Sequence, residues 1–161
     1  MRNLIHLLIF IVLTIITQIG GIIYIVSVFC IKKKPRYKLK RTILFLLLYL
    51  ISSILIVPNI APFFGRIKID DNHIIESHNI ITKLCNRNYV KPELYDVLTD
   101  VSLKINKDFP DIKLIYLDAN FPFFDGFPLL PHLSHNDGRK IDVSFIYKDK
   151  NMKLTNEKPS K

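Results

Sequence analysis

At 161 residues the chain has room for one domain, or for one domain and an anchor. Its net charge of +9 resembles a nucleic-acid signal, but seven basic residues crowd into one stretch: Lys32, Lys33, Lys34, Arg36, Lys38, Lys40 and Arg41. From Gly65 to Lys161 fifteen Lys/Arg face fourteen Asp/Glu, a balance of +1 that argues against nucleic acid as a partner.

The apolar content of 49% is concentrated in residues 4–31 and 42–64. The first stretch has no Asp, Glu, Lys or Arg; its polar members are His6, Thr14, Thr17, Gln18, Tyr24 and Ser27. A bilayer core of about 30 Å needs about 20 helical residues, so this segment predicts a tilted transmembrane helix. A secretory signal peptide is the rival reading, but its apolar core is shorter, about 7–15 residues, and is followed by a small-residue cleavage site rather than lysines. The adjacent Gly20 and Gly21 mark either a close helix contact or a bend, or are simply tolerated membrane glycines.

The second stretch, 42–64, predicts a second span. Pro58 and Pro62 lie toward its far end, where proline ends a helix and NIAPFF reads as an interfacial exit. The basic loop 32–41 between the two spans belongs on the cytoplasmic side. That orientation places the N-terminus and everything after Phe64 outside. Cys30 and Cys85 then lie on opposite sides of the bilayer and form no intrachain disulfide.

The polar part, 65–161, predicts a small α+β domain. Residues 71–88 carry Ile74, Ile75, Ile81, Leu84 and Cys85 at helical spacing. A clearer helix covers 91–109, with Pro92 in its first turn, Glu93 beside its positive end and a stripe of Leu94, Val97, Leu98, Val101 and Ile105. Residues 111–117 predict a buried strand, and 118–131 a loop crowded with Phe121, Phe123, Phe124 and Phe127. That loop serves as a substrate wall, touches the membrane, or packs on the core. Residues 141–147 alternate, placing Ile141, Val143, Phe145 and Tyr147 on one face and Asp142 on the other. The expected sheet is short and mostly antiparallel.

Ligand-type residues are densest from His132 to Asp142, with Ser134, His135, Asp137, Gly138 and Arg139 between them. Gly138 permits a tight turn, so the loop can return onto the strand it feeds and bring His135 to Asp142. An imidazole nitrogen and a carboxylate oxygen are ordinary zinc ligands, and a catalytic site needs three protein ligands and a water. Read from the residues alone, the cluster is either a metal site or a solvated surface loop. Ser134 lacks the base and orienting partner of a nucleophile. Arg139 could clamp a substrate carboxylate or pair with Asp137. Asp118 and Asp125 line a cleft or form turns. His73 and His78 read as helix-surface histidines. No phosphate-binding glycine loop, CxxC or HExxH occurs.

The segment SHNDGRKIDVSF, taken with His132, resembles the zinc-binding segment of the penicillin-insensitive murein endopeptidases. Those belong to the wider LAS-type group that includes D-Ala-D-Ala carboxypeptidases. The shared pattern is matched by His132, Ser134, His135, Gly138, Arg139, Asp142, Val143 and Phe145. The resemblance implies that His135 and Asp142 bind Zn2+, with His132, Ser134 and Arg139 supporting the ligands or contacting substrate. It also implies hydrolysis of cell-wall peptides outside a bacterial inner membrane. The family takes its third ligand from a downstream His-x-His, whereas no histidine follows Asp142 here. The sequence is therefore expected to be an N-terminal portion of a longer protein, with the complete enzyme a zinc metallopeptidase. The alternative is a non-catalytic membrane binding or scaffolding protein with a degenerate motif.

Overall fold

The computed structural model describes residues 2–32, 35–130 and 133–157. It shows a small α+β protein with short sheets, preceded by apolar helices.

The segment 4–31 does not form the single helix that its composition predicts. It forms α1 (Arg2–Thr17) and α2 (Gly20–Cys30), with Gln18 between them at φ 65°. The two helices fold back on each other: His6 Nδ1 and the Tyr24 hydroxyl are 2.6 Å apart although 18 positions separate them. The glycines make this possible. A Cβ on Gly21 would lie 1.9 Å from Thr14 Oγ1 and 2.6 Å from the Phe10 carbonyl oxygen, so a side chain there would hold the helices apart. The Thr17 hydroxyl accepts the Gly20 N–H at 2.8 Å and closes the turn. At 16 and 11 residues, α1 and α2 are about 24 and 16 Å long, short of a bilayer core.

One helix among the described residues is long and apolar enough to cross a membrane: α3, Tyr37–Phe64, 28 residues. It continues through both prolines. Pro58 lacks an N–H and crowds the turn before it; that turn, Ser52–Ile56, opens into a π-helix. The last turn, Ala61–Phe64, tightens to 3-10 geometry and ends at Gly65 with φ 66°. Leu46, Leu47, Leu50, Ile54 and Leu55 stay exposed along it.

The hairpin shifts the expected arrangement of ends. Ile5, His6, Tyr24, Tyr37 and Lys38 line one cavity, so the starts of α1 and α3 share an end of the helical part. The hairpin tip faces the polar domain, where Gln18 Oε1 accepts the Phe123 N–H at 3.1 Å.

The domain docks along one face of α3 at four-residue spacing. The Tyr49 hydroxyl donates to the Leu84 carbonyl at 2.6 Å, and Asn86 Nδ2 donates to Tyr49 and Ser53 oxygens. Further along, Val57 and Ala61 pack with Tyr89, Ile19 and Phe123.

Residues 71–88 are not a helix, despite their periodicity. Ile75–Ser77 form β2, paired in parallel with β4 (Leu114–Asp118), and only Ile80–Leu84 form a short helix, α4. Ahead of α4, side chains take the backbone donors that a longer helix would need: Asn72 Oδ1 accepts from Ile74 and Ile75, and Asp71 Oδ1 from Ser77. Asn79 Oδ1 accepts the Ile81 N–H and caps the start of α4. His73 and His78 consequently leave the predicted helix surface.

Helix α5 (Pro92–Asp108) matches its prediction, with the buried face rotated slightly. Leu98 and Ser102 are buried and Leu94, Tyr95 and Ile105 pack on the core, while Val97 and Val101 are exposed. Ser102 is tolerated there because its hydroxyl donates to the Leu98 carbonyl at 2.6 Å. The core joins Ile69, Ile74, Ile75, Val90, Leu98, Leu114, Tyr116 and Ala119.

The main sheet has the order β2-β4-β5, with β5 (Asp142–Val143) antiparallel to β4. Two strand pairs flank it: β1 (Ile67–Lys68) with β3 (Tyr89–Val90), and β6 (Tyr147–Lys148) with β7 (Leu154–Thr155). The continuous strand predicted over 141–147 is thus broken. Ile141 packs on the core, but Val143 and Phe145 are exposed because nothing covers that side of so short a strand.

Candidate functional site

The loop between the aromatic segment and β5 brings His135 to Asp142, as the sequence predicts. His135 Nε2 and Asp142 Oδ1 lie 3.2 Å apart. His135 is buried, while Asp142 is partly exposed. Strand pairing fixes the aspartate: Asp142 sits opposite Asp118, and the Ser144 N–H donates to the Ile115 carbonyl at 2.8 Å. On its inner side His135 faces Phe121, Phe124, Phe127, Asn120 and Arg66.

The loop before Asp142 is held from several directions. Asn120 Oδ1 accepts the Gly138 N–H at 3.1 Å, and its Nδ2 donates to the Lys140 carbonyl at 2.7 Å. The Lys91 N–H donates to the Gly138 carbonyl at 2.8 Å, and the Gly126 N–H to the Asn136 carbonyl at 2.7 Å. Arg66, two residues past the end of α3, donates to the Asp137 carbonyl at 2.7 Å and pairs with Asp125. Burial pushes the Arg66 guanidinium below its ordinary range, and the Asp125 carboxylate opposes that shift.

Arg66 and Asn120 were not foreseen from the sequence. A single arginine after an apolar run reads as an interfacial charge, and an asparagine after a strand reads as a turn. Their importance depends on contacts 71 and 18 positions away.

The remaining predicted residues separate. Arg139 donates its backbone N–H to Asp137 Oδ1 at 2.9 Å, and its side chain is exposed. That backbone bond is the main reason the Asp137 carboxyl lies below its ordinary range. Ser134 is exposed, and its carbonyl accepts from Lys140 Nζ at 3.0 Å. His132 lies outside the described residues.

Asp142 borders a cavity of about 300 Å³. His78, Thr82, Cys85, Arg87 and Asp118 also line it. Arg87 and Asp118 form a two-point ion pair, and Arg87 Nη1 also donates to the Leu130 carbonyl at 3.0 Å. Both charges are thereby satisfied, which a buried pair requires. Burial pushes the Cys85 thiol up, so it favours the neutral form. Asp125 lies away from this cavity, against Arg66 and Lys91. The aromatic loop packs on the end of α3 through Phe64, whose ring centroid is 5.0 Å from Phe123 and 5.4 Å from Phe124.

The pair His135–Asp142 suits a metal ion by donor type and spacing. Two ligands at about 2.0–2.1 Å from a tetrahedral zinc lie about 3.3 Å apart, close to the 3.2 Å found. The same distance also fits a direct imidazole–carboxylate hydrogen bond. No group of three or more metal-ligating side chains occurs among the described residues. Comparison with protein-family models, curated proteins and solved structures finds no match.

Proposed function

We propose that the chain is a membrane-anchored, zinc-dependent peptidase-like protein that acts on peptides of the cell wall. The observation that carries this reading is the approach of buried His135 Nε2 to Asp142 Oδ1, on a carboxylate that lines an open cavity. His135 and Asp142 would hold the ion. Bound zinc supplies a water of lowered pKa and polarises a peptide carbonyl. The protein's own contribution is positioning. Asn120, Lys91 and Arg66 hold the loop, and the β4–β5 pairing holds Asp142 at the cavity rim.

The apolar helices support the anchor. Leu4, Leu8, Ile22, Phe29, Leu47 and Ile54 are all exposed, a surface that water does not tolerate and lipid does. Exposed Ile80, Ile81 and Leu84 continue it onto the domain beside Tyr49. The basic loop on the cytoplasmic side places the domain on the extracytoplasmic face of a bacterial inner membrane. On this reading the start of α1, which shares a cavity with Tyr37 and Lys38, would face the cytoplasm as well.

A second reading, a binding or scaffolding module with a degenerate motif, is favoured by the lack of a three-ligand group among the described residues. Metal analysis of the purified full chain separates the two. The peptidase reading expects zinc that is lost in both His135→Ala and Asp142→Ala, together with cleavage of peptidoglycan peptides. Equal metal content in wild type and both variants overturns it. Binding of those peptides with neither zinc nor turnover supports the module.

A further inference from the structure

The helical part carries a second cavity, of about 450 Å³, remote from the histidine–aspartate pair. It lies between α1, α2 and the first turns of α3. We propose that it binds the headgroup of an anionic phospholipid. This rests on the membrane reading above.

The lining has the two characters such a ligand needs. Lys38 and Arg41 supply positive charge, Tyr37 and Tyr24 supply hydroxyls, and Ile5 and Ile9 supply an apolar wall. Nothing in this part of the chain neutralises the cations, because the first acidic residue is Asp70. Arg41 is anchored: its Nη2 reaches the Val28 and Ile31 carbonyls at 3.4 and 3.3 Å, and its guanidinium lies 5.3 Å from the Tyr37 ring centroid. Arg41 is only partly buried and lines the cavity beside Lys38, and a phosphate oxygen accepts from two such cations in short charge-assisted contacts. The lipid origin of the phosphate follows from the walls. The cavity sits among Ile5, Leu4 and Leu8, exposed apolar side chains that meet acyl chains in a bilayer, so its ligand is amphiphilic. Basic pockets between membrane helices on the cytoplasmic side suit such headgroups.

The test uses the full chain in vesicles of mixed phosphatidylglycerol and phosphatidylcholine. It is extracted in mild detergent and weighed intact with its retained lipid. Wild type should retain phosphatidylglycerol about tenfold over phosphatidylcholine. Lys38→Gln should lower that preference several-fold, and Ile9→Trp, which fills the cavity and leaves both charges, should abolish it. An excess of inorganic phosphate should not displace the lipid; displacement would assign the site to free phosphate and overturn the lipid. Retention without headgroup preference, or unaffected by Ile9→Trp, overturns the site alone. A chain that leaves the vesicles in alkaline carbonate overturns the membrane reading and the lipid site with it.

Discussion

The Arg66 guanidinium lies against the α-carbon of Gly138, so the residue that leaves the apolar helix braces the turn that carries His135 toward Asp142. A Cβ on Gly138 would fall 1.6 Å from Arg66 Nη1 and 2.3 Å from its Cζ. Gly138 also has φ 76°, where a side chain is strained in any surroundings. Gly138→Ala is expected to cost about 3 kcal/mol, from strain and displacement of the buried Arg66 guanidinium. Gly126 is the control. It has φ 78° but nothing within 4 Å of its would-be Cβ, so Gly126→Ala should cost only about 1–2 kcal/mol. Urea unfolding of both variants in micelles checks this, and equal losses would refute the contact.

Asn120 should matter through its orientation. Its side chain gives one acceptor to Gly138 and one donor to Lys140, and the residue is buried. Asn120→Ala leaves both backbone groups without their partner and should cost about 2–3 kcal/mol. Asn120→Asp keeps the acceptor but turns a second oxygen toward the Lys140 carbonyl. It should be at least as damaging, and on the proposed zinc reading it should also lower the metal content. Wild-type stability of Asn120→Asp would remove the argument.

Alkaline pH should unfold the domain before it affects the helical part. Burial raises the Cys85 thiol above 9.0 and the Tyr89 and Tyr116 phenols above 10.0, their ordinary values. In the unfolded chain these groups ionise at the ordinary values, while the folded domain still holds their protons. The folded state binds more protons there, so stability falls as pH rises from about 9 upward and is unaffected by these groups below it. The urea midpoint should decline between about pH 9 and pH 11, and Tyr116→Phe should flatten the decline. A midpoint that rises with pH in this window contradicts the burial.

The hairpin makes a prediction that distinguishes it from a straight span. In one continuous helix residues 6 and 24 would be about 27 Å apart, whereas here their side chains hydrogen-bond at 2.6 Å. Cysteines placed at these positions, with Cys30 and Cys85 changed to serine, should be joined by a bifunctional thiol reagent that spans about 10 Å, too short to bridge two positions about 27 Å apart on one helix. Gly21→Leu should suppress the crosslink by pushing α2 off Thr14 and Phe10. Efficient crosslinking in the Gly21→Leu chain would mean that close packing at the glycine is not what holds the hairpin.

Composition alone divides the chain into an apolar helical part and a polar α+β part, because the change in composition is the boundary. The sequence also specifies α5, whose proline start and apolar spacing are local, and the meeting of His135 with Asp142, which a short glycine-containing loop permits. Tertiary structure decided what depended on distant partners. The apolar run 4–31 is uniform in hydropathy, and only the packing of Gly21 on Phe10 and Thr14 reveals a reversal at Gln18. The isoleucines of 71–88 fit a helix equally well until β4 offers Ile75 a parallel neighbour, Asn72 and Asp71 capture backbone donors, and Asn79 delays the helix start to Ile80. Arg66 acquires its role only because the chain returns 71 residues later to present a carbonyl and a glycine to it. Local periodicity reports which residues are apolar; which partner buries them, and which polar groups close the contact, is settled by the rest of the chain.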